Sequence, residues 1–336
     1  MDRLAFDDVE LTYELGEGGD RGDRIVLVHA SPFVAWYGPL VEQLTEFSTL
    51  RYRRRLHGSG GAFRPLTVAE DAATCAMLMD HVGWEAAHIV GHSYGGLVAL
   101  QLALDAPERV RSVALLEPAA RGISSSEQVA AALAPVVAAY RSGDKAGAVD
   151  AFLRYVCGDG YRPVLDRVIP DAFREALDNA DLFFQAEMPA VQQWSFGPGD
   201  AERVTQPVLN VLGALSVPRF VEGSDLIQSW FPGARRLSVP EAGHLLMVQN
   251  PTGLAQGLTD FLATRDPAAS ARSARAPSSA RPTPPGHTPG RSGQKDRTHH
   301  GARGDPNMAA ARAVAPSARS STQPSAASRP QPVPPR

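Results

Sequence analysis

The stretch Ile89-Val90-Gly91-His92-Ser93-Tyr94-Gly95-Gly96 decides how this chain is read. The apolar residues Ala87 to Val90 before it predict a short strand, and the pattern from Leu97 to Asp105 after it predicts a helix. Gly-x-Ser-x-Gly therefore falls on a tight strand-to-helix turn, a nucleophile elbow, which exposes the serine hydroxyl. Such a turn forces the serine into a strained backbone conformation, and side chains at 91 and 95 would collide across it. The helix that follows aims its first N–H groups and the positive end of its dipole at the same spot, which suits a developing oxyanion.

Working outward, the chain alternates. Short strands are predicted at Ala5–Phe6 and Val9–Leu15, then a Gly/Asp-rich turn from Gly16 to Gly22. Arg24 to His29 carries the continuous apolar run Ile25-Val26-Leu27-Val28, the kind expected inside a parallel sheet. A helix over Trp36–Phe47, a strand at Thr49–Tyr52 and an amphipathic helix over Thr67–Val82, closed by Gly83, precede the elbow. Another strand, Val110–Leu116, follows it. This alternation predicts an α/β fold with a mostly parallel sheet and helices on both faces.

From Ala120 to Ala201 the alternation stops. Helical segments at Ser126–Tyr140, Lys145–Tyr155 and Asp171–Asn179 read as an insertion over the strand ends. The sheet resumes with a strand at Val208–Leu212, a helix at Phe220–Phe231, a strand at Ala234–Val239 and a last helix at Leu245–Thr264. The expected organisation is a core in two parts, 1–119 and 202–265, an insertion at 120–201 and a tail at 266–336.

Beyond Leu262 the tail holds no Leu, Ile, Phe, Trp or Tyr. A segment of Ala, Ser, Pro, Gly and Arg buries too little apolar surface to offset the entropy of ordering, so disorder is expected there. The tail is net basic and the rest net acidic, within a formal charge of −3 for the 336 residues. It lacks interleaved aromatics and dense Lys/Arg blocks, so nucleic acid is not expected as a partner. Its bland reading is a solvated extension or a read-through appendage. The first residues lack the apolar core of a signal peptide, and no uncharged run approaches a membrane span. A cytoplasmic protein without a membrane partner is the expectation. The two cysteines, Cys75 and Cys157, fit no metal or redox spacing, and Cys75 reads as a core residue.

A serine hydroxyl is a weak nucleophile; it needs a base, and the base needs an orienting group. Of nine histidines, His244 is the candidate base, because Pro240-Glu241-Ala242-Gly243-His244 lies just past the last strand. Reactive groups gather beyond the carboxyl ends of strands in an open parallel sheet, so His244 and Ser93 are expected to meet there. The competing reading is a surface or helix-capping histidine.

The acid should lie between serine and histidine in chain order. The loop after Val208–Leu212, Gly213-Ala214-Leu215-Ser216-Val217-Pro218, holds no carboxylate. Glu117 ends the strand that follows the elbow's and precedes Pro118, so it is the expected acid. Asp225, inside a predicted helix, is the alternative, and the bland reading of Glu117 is an exposed strand-end glutamate.

The loop His29-Ala30-Ser31-Pro32-Phe33 should supply the second oxyanion donor. The Ser31 and Tyr94 amides are the expected pair, each such donor being worth ~3–4 kcal/mol in the transition state. His29 reads as a brace for that loop. His92, His88 and His81 read as motif, strand and helix-end residues, and His57 as part of a polar glycine-containing loop. No histidine and carboxylate spacing suits a metal, and no cofactor is expected.

His29-Ala30-Ser31-Pro32, Gly91-His92-Ser93-Tyr94-Gly95-Gly96, Leu115-Leu116-Glu117-Pro118 and Gly243-His244 together resemble the α/β-hydrolase superfamily over about Leu4 to Ala263. Most members have His-Gly at the first motif, where this chain has His29-Ala30, and Ser216 stands about where most carry the acid. Haloalkane dehalogenases of the superfamily can instead place a glutamate after the strand that Glu117 ends. They use an aspartate nucleophile, as epoxide hydrolases do, so Ser93 counts against both activities. The resemblance implies a helical lid over 120–201 and an apolar pocket for a small-molecule substrate. Phe33, Phe183, Phe184 and Trp194, with Leu182, Met188 and Phe196, are candidate walls, or equally residues packing the lid onto the body. The expected activity is hydrolysis of a small, fairly apolar ester or related acyl compound through Ser93, His244 and Glu117. Carbon–carbon bond hydrolysis and cofactor-free perhydrolysis use the same groups, and a ligand-binding receptor with little turnover is the alternative outside catalysis.

Overall fold

One four-residue run feeds two cores. In β3 (Arg24–Val28), Ile25 and Leu27 face one side of the sheet and Val26 and Val28 the other, because successive side chains of a strand alternate. The first pair packs with Val90, Leu116, Leu254, Leu258 and Phe261. The second packs with Ile89, Val113, Cys75, Leu78, Leu97 and Leu100. Both faces of the sheet are thus covered by helices, and each fully buried side chain of this size contributes about 1.5–3 kcal/mol.

The computed structural model of the protein describes residues 1–6, 9–18, 23–29, 34–57 and 67–263. Ser31, Phe33 and the tail at 266–336 lie outside the described residues. The other strands are β1 (Asp2–Phe6), β2 (Val9–Gly16), β4 (Ser48–His57), β5 (Ala87–His92), β6 (Val110–Leu116), β7 (Val208–Gly213) and β8 (Arg235–Val239). They form one sheet in the order β1-β2-β4-β3-β5-β6-β7-β8. β2 pairs antiparallel with β1 and β4, and every other neighbour is parallel. The register sets Val28 beside Gly91, His92 beside Leu116, and Leu116 beside Val211, so three strand ends meet at one edge. Among the described residues no helix is long and apolar enough to cross a membrane.

The helix Val68–His81 opens with a full capping box, Thr67 and Glu70 satisfying each other's backbone N–H. The elbow helix runs Tyr94–Asp105, starting three residues before the expected Leu97 because it begins directly at the serine turn.

Three expectations are corrected. The helix predicted over Trp36–Phe47 is a 3-10 turn, Val34–Tyr37, and a short helix, Gly38–Val41. Gly38-Pro39 interrupts it, since proline restricts the residue before it and lacks an N–H. The predicted loop containing Arg53 to His57 is the end of β4, paired antiparallel to β2. The single helix expected over Leu245–Thr264 is Leu246–Gln249 and Pro251–Ala263, broken before Pro251, with the Asn250 side chain accepting from the Gly253 amide.

Between β6 and β7 the chain is helical. Ser126–Arg141, Lys145–Cys157 and Ala172–Asp178 match the expected segments. Tyr161–Val168, a π-helical turn at Phe183–Glu187 and Met188–Gln193 were not anticipated. Val136, Leu153, Leu165 and Ala176 from these helices join the core that contains Leu27 and Leu116.

Candidate active site

Two strained residues end adjacent strands. Ser93 sits at φ 52, ψ −114, and Glu117 at φ 45, both outside the range that residues with a side chain prefer. Backbone bonds between neighbouring strand ends hold them. The Ser93 amide donates to the Leu116 carbonyl (3.0 Å), the Ala119 amide to the Ser93 carbonyl (3.0 Å), and the Glu117 amide to the Val211 carbonyl (3.1 Å). A Cβ at Gly91 would strike the Gly95 backbone, and one at Gly95 would strike the Val28 carbonyl. The elbow therefore needs glycine at both places for want of room, while the strain itself falls on the serine.

Glu117 is buried, 1 % exposed. Its Oε2 lies 2.8 Å from His244 Nδ1, and its Oε1 accepts from the Gly213 amide (2.7 Å) and from the Ser216 hydroxyl. An ionised Glu117 can only accept, and in that state this contact places the His244 proton on Nδ1 and leaves Nε2 as an acceptor. Burial pushes the Glu117 carboxyl above its ordinary range, against the pull of the Ser216 and Gly213 donors. Burial pushes His244 well below the ordinary imidazole range, and the Arg219 cation pushes the same way. The imidazole is thus neutral, as a proton acceptor must be.

The turn carrying His244 is fastened to the turn after β7. The Ala214 amide donates to the Val239 carbonyl, and the Leu215 amide to the Ala242 carbonyl (2.8 Å). Phe220 stacks on the imidazole at 3.9 Å with planes 10° apart. His92 Nε2 lies 2.9 Å from the His244 carbonyl, and the two rings are 4.4 Å apart. Burial holds His92 well below its ordinary pKa, so it is a neutral donor to that carbonyl. His92 was read as a bystander in the motif; no local pattern marks it, because its partner is remote in sequence.

Ser93 and His244 both line a cavity of about 890 Å³. The helices between β6 and β7 contribute Leu133, Phe152, Phe183, Met188 and Trp194 to its wall. Of the expected walls, Phe183, Met188, Trp194 and Phe196 line it. Phe184 does not: its ring stacks on Tyr140 at 4.4 Å, inside the helical region. Consecutive residues of a helix point about a quarter-turn or more apart, so both phenylalanines do not share one face. Leu182 packs with Ala186. Tyr94 is the first residue of the elbow helix; its hydroxyl donates to Asp71 (2.7 Å).

Asp225, the alternative acid, is exposed and paired with Arg236 at 3.1 Å. His88 bonds Ser112 (2.8 Å), and burial pushes it down to about 4. His81 meets the Tyr13 hydroxyl at 3.2 Å, His29 is buried at the end of β3, and Cys75 is buried with its thiol pushed up to about 12. Among the described residues no three His, Cys, Asp or Glu side chains are grouped to hold a metal ion.

The family profile described as "alpha/beta hydrolase fold" matches residues 25–162, which span β3, the elbow and the first insertion helices. The enol-lactonase from Burkholderia xenovorans LB400 superposes with a TM-score of 0.66, covering 78 % of this chain and 99 % of that one at 23 % identity. The two matches agree on the fold, a mostly parallel sheet with helices on both faces.

The chain has the α/β-hydrolase fold. Carboxylesterase YbfK of Bacillus subtilis is 26 % identical over 75 % of this chain and 84 % of that protein. The dihydrolipoyllysine-residue acetyltransferase component of the acetoin cleaving system is 28 % identical in Pseudomonas putida, over 73 % of this chain. The match spans 65 % of that relative, and 15 % of its 59 % identical counterpart from Cupriavidus necator.

Proposed function

We propose that this protein is a serine hydrolase of small, fairly apolar carboxylic esters, with Ser93 as nucleophile, His244 as base and Glu117 as the orienting acid. The observation that carries this reading is the 2.8 Å contact of Glu117 Oε2 with His244 Nδ1, on a histidine that shares a cavity wall with the elbow serine. The similarity to a carboxylesterase over most of its length adds support.

Ser93 Oγ attacks the ester carbonyl carbon and its proton passes to His244 Nε2. The Tyr94 and Ser31 amides receive the oxyanion. Collapse breaks the bond to the alkoxy oxygen, which takes the proton from the imidazolium. Water then attacks the acyl-serine, gives its proton to Nε2, and the proton returns to Ser93 as the acid leaves. Glu117 holds the tautomer and stabilises the imidazolium between the two proton transfers. The helices between β6 and β7, residues 120–201, act as the lid that keeps bulk water out.

The test is labelling by a fluorophosphonate probe together with turnover of short-chain nitrophenyl esters. Wild type should label and turn over; Ser93→Ala should do neither, its kcat falling by about 10⁶. Unlabelled wild type that turns over no ester rejects the reading. A vinylogous diketone, and peroxide with acetate, check whether carbon–carbon cleavage or perhydrolysis outpaces ester hydrolysis.

A further inference from the structure

The cavity beside His244 is mostly apolar, yet it carries a cation that no carboxylate bonds among the described residues, Glu117 acting on it only through its field. Arg219 lines it, near the start of the helix Pro218–Trp230. Its guanidinium lies over the Phe220 ring, 4.6 Å from the centroid, and that same ring stacks on His244. The Arg219 Nε is shut off from solvent and donates to nothing. Among the described residues no hydrogen bond or salt bridge engages this guanidinium.

The contrast with the other charged groups of the lining sharpens the point. These are Arg121 and Glu187. Arg121 donates to the Gln192 carbonyl. The lining therefore holds two guanidinium groups against one carboxylate, and only Arg219 stands next to the imidazole through Phe220. A cation drawn out of water without hydrogen bonds is costly, and an arginine fork matches a carboxylate in two parallel bonds.

Arg219 also acts on the base. Its charge disfavours a proton on His244, and a proton on His244 is what the proposed acyl transfer requires. A neutral ester leaves that repulsion in place during the reaction. An anionic group seated on Arg219 cancels it at the moment the imidazolium forms.

We propose that Arg219 is a specificity-determining residue that binds a carboxylate on the substrate, so that the preferred substrates are esters bearing a free carboxylate rather than wholly neutral ones. This rests on the serine-hydrolase reading for its kinetic form, though the binding itself does not need turnover.

The experiment uses two matched pairs. One carries the charge on the acyl side: the mono-4-nitrophenyl ester of glutaric acid against its methyl-capped diester. The other carries it on the alcohol side: carboxymethyl butyrate against methoxycarbonylmethyl butyrate. In wild type at least one acid is expected to exceed its neutral partner in kcat/KM by about 10- to 100-fold, the usual worth of a charge-assisted bond in a dry site. Arg219→Met should cross the preference over, losing most of the activity on the acid and gaining on the neutral ester as repulsion on His244 is relieved. Arg219→Lys should keep part of the preference. In parallel, glutarate binding is measured by calorimetry with Ser93→Ala and with Ser93→Ala/Arg219→Met; binding to the first and not to the second is expected. Equal rates for both pairs in wild type, a parallel fall of acid and ester in Arg219→Met, or glutarate binding that ignores Arg219 would each overturn the proposal. Turnover of no ester at all rejects the hydrolase reading instead, and the calorimetry still decides whether Arg219 receives a carboxylate.

Discussion

The ends of β6 and β7 lie side by side, and they solve the same problem differently. β6 ends in Glu117, a carboxylate on a strained backbone, buried and in contact with the imidazole. β7 ends in a relaxed turn whose Ser216 hydroxyl and Gly213 amide point at that same carboxylate. One strand end carries the charge and the other carries the donors that hold it. Because parallel neighbours finish at the same edge, either end reaches the histidine, so a fold of this kind fixes where the acid must be in space and leaves open which strand supplies it. The cost falls where the charge is: a side chain at positive φ is worth roughly 1–3 kcal/mol of strain, and the donors from β7 offset the burial of the carboxylate.

Removing the charge at β6 is the harshest way to probe this division. Glu117→Gln keeps the shape but offers the imidazole an N–H donor, which turns the tautomer so that Nε2 carries the proton and no longer accepts one. A fall in kcat of about 10³–10⁴, some 4–5.5 kcal/mol, is expected with KM little changed. Steady-state kinetics on a nitrophenyl ester measures it, and a variant that keeps wild-type kcat would move the acid away from β6.

Much of this arrangement was legible in the chain. The elbow, its flanking strand and helix, and the strand-end positions of Glu117 and His244 follow from local patterns of apolar residues and glycine. What was not legible depends on closure between distant segments. Phe220 and His92 touch His244 across long stretches of chain, and no periodicity announces a ring stacked on another. Arg219 falls just before the helix expected at Phe220–Phe231, and no local pattern marks the cavity it lines. The overlong helices predicted at Trp36–Phe47 and Leu245–Thr264 have a different cause: apolar spacing continues through Pro39 and Pro251, while the backbone does not. Phe183 and Phe184 were each a candidate wall or a lid-packing residue, and the helical turn gives Phe183 the first place and Phe184 the second.

A milder change separates the charge from its support. Ser216→Ala removes one donor to the Glu117 carboxylate and leaves the Gly213 amide in place. The Ser216 hydroxyl lowers the carboxyl pKa against burial, so its loss raises that pKa further. In the proposed mechanism Glu117 works ionised, so activity is expected above its pKa and is expected to disappear as pH falls through it. The acid limb of the kcat/KM profile should therefore move to higher pH, with kcat at neutral pH falling about 10-fold, the worth of a bond to a charged group. An unmoved acid limb would mean that the β7 turn only fills space.

The smallest effect is expected at the other carboxylate near β7. Asp225 lies in the helix after that strand, but its side chain is 65 % exposed and faces Arg236, itself 54 % exposed, rather than the histidine. An exposed pair of this kind contributes about 0–1 kcal/mol to stability, because water and ions screen it and two long side chains must be ordered to form it. Asp225→Asn should leave probe labelling, kcat and the pH profile at wild-type values and shift thermal unfolding by no more than a few degrees. The variant matters because Asp225 stands between serine and histidine in chain order, as the acid of such a site is expected to. A loss of kcat above about 10-fold in Asp225→Asn, with Glu117→Gln still active, would reverse the roles assigned to the two strand ends and leave the strain at Glu117 without a function.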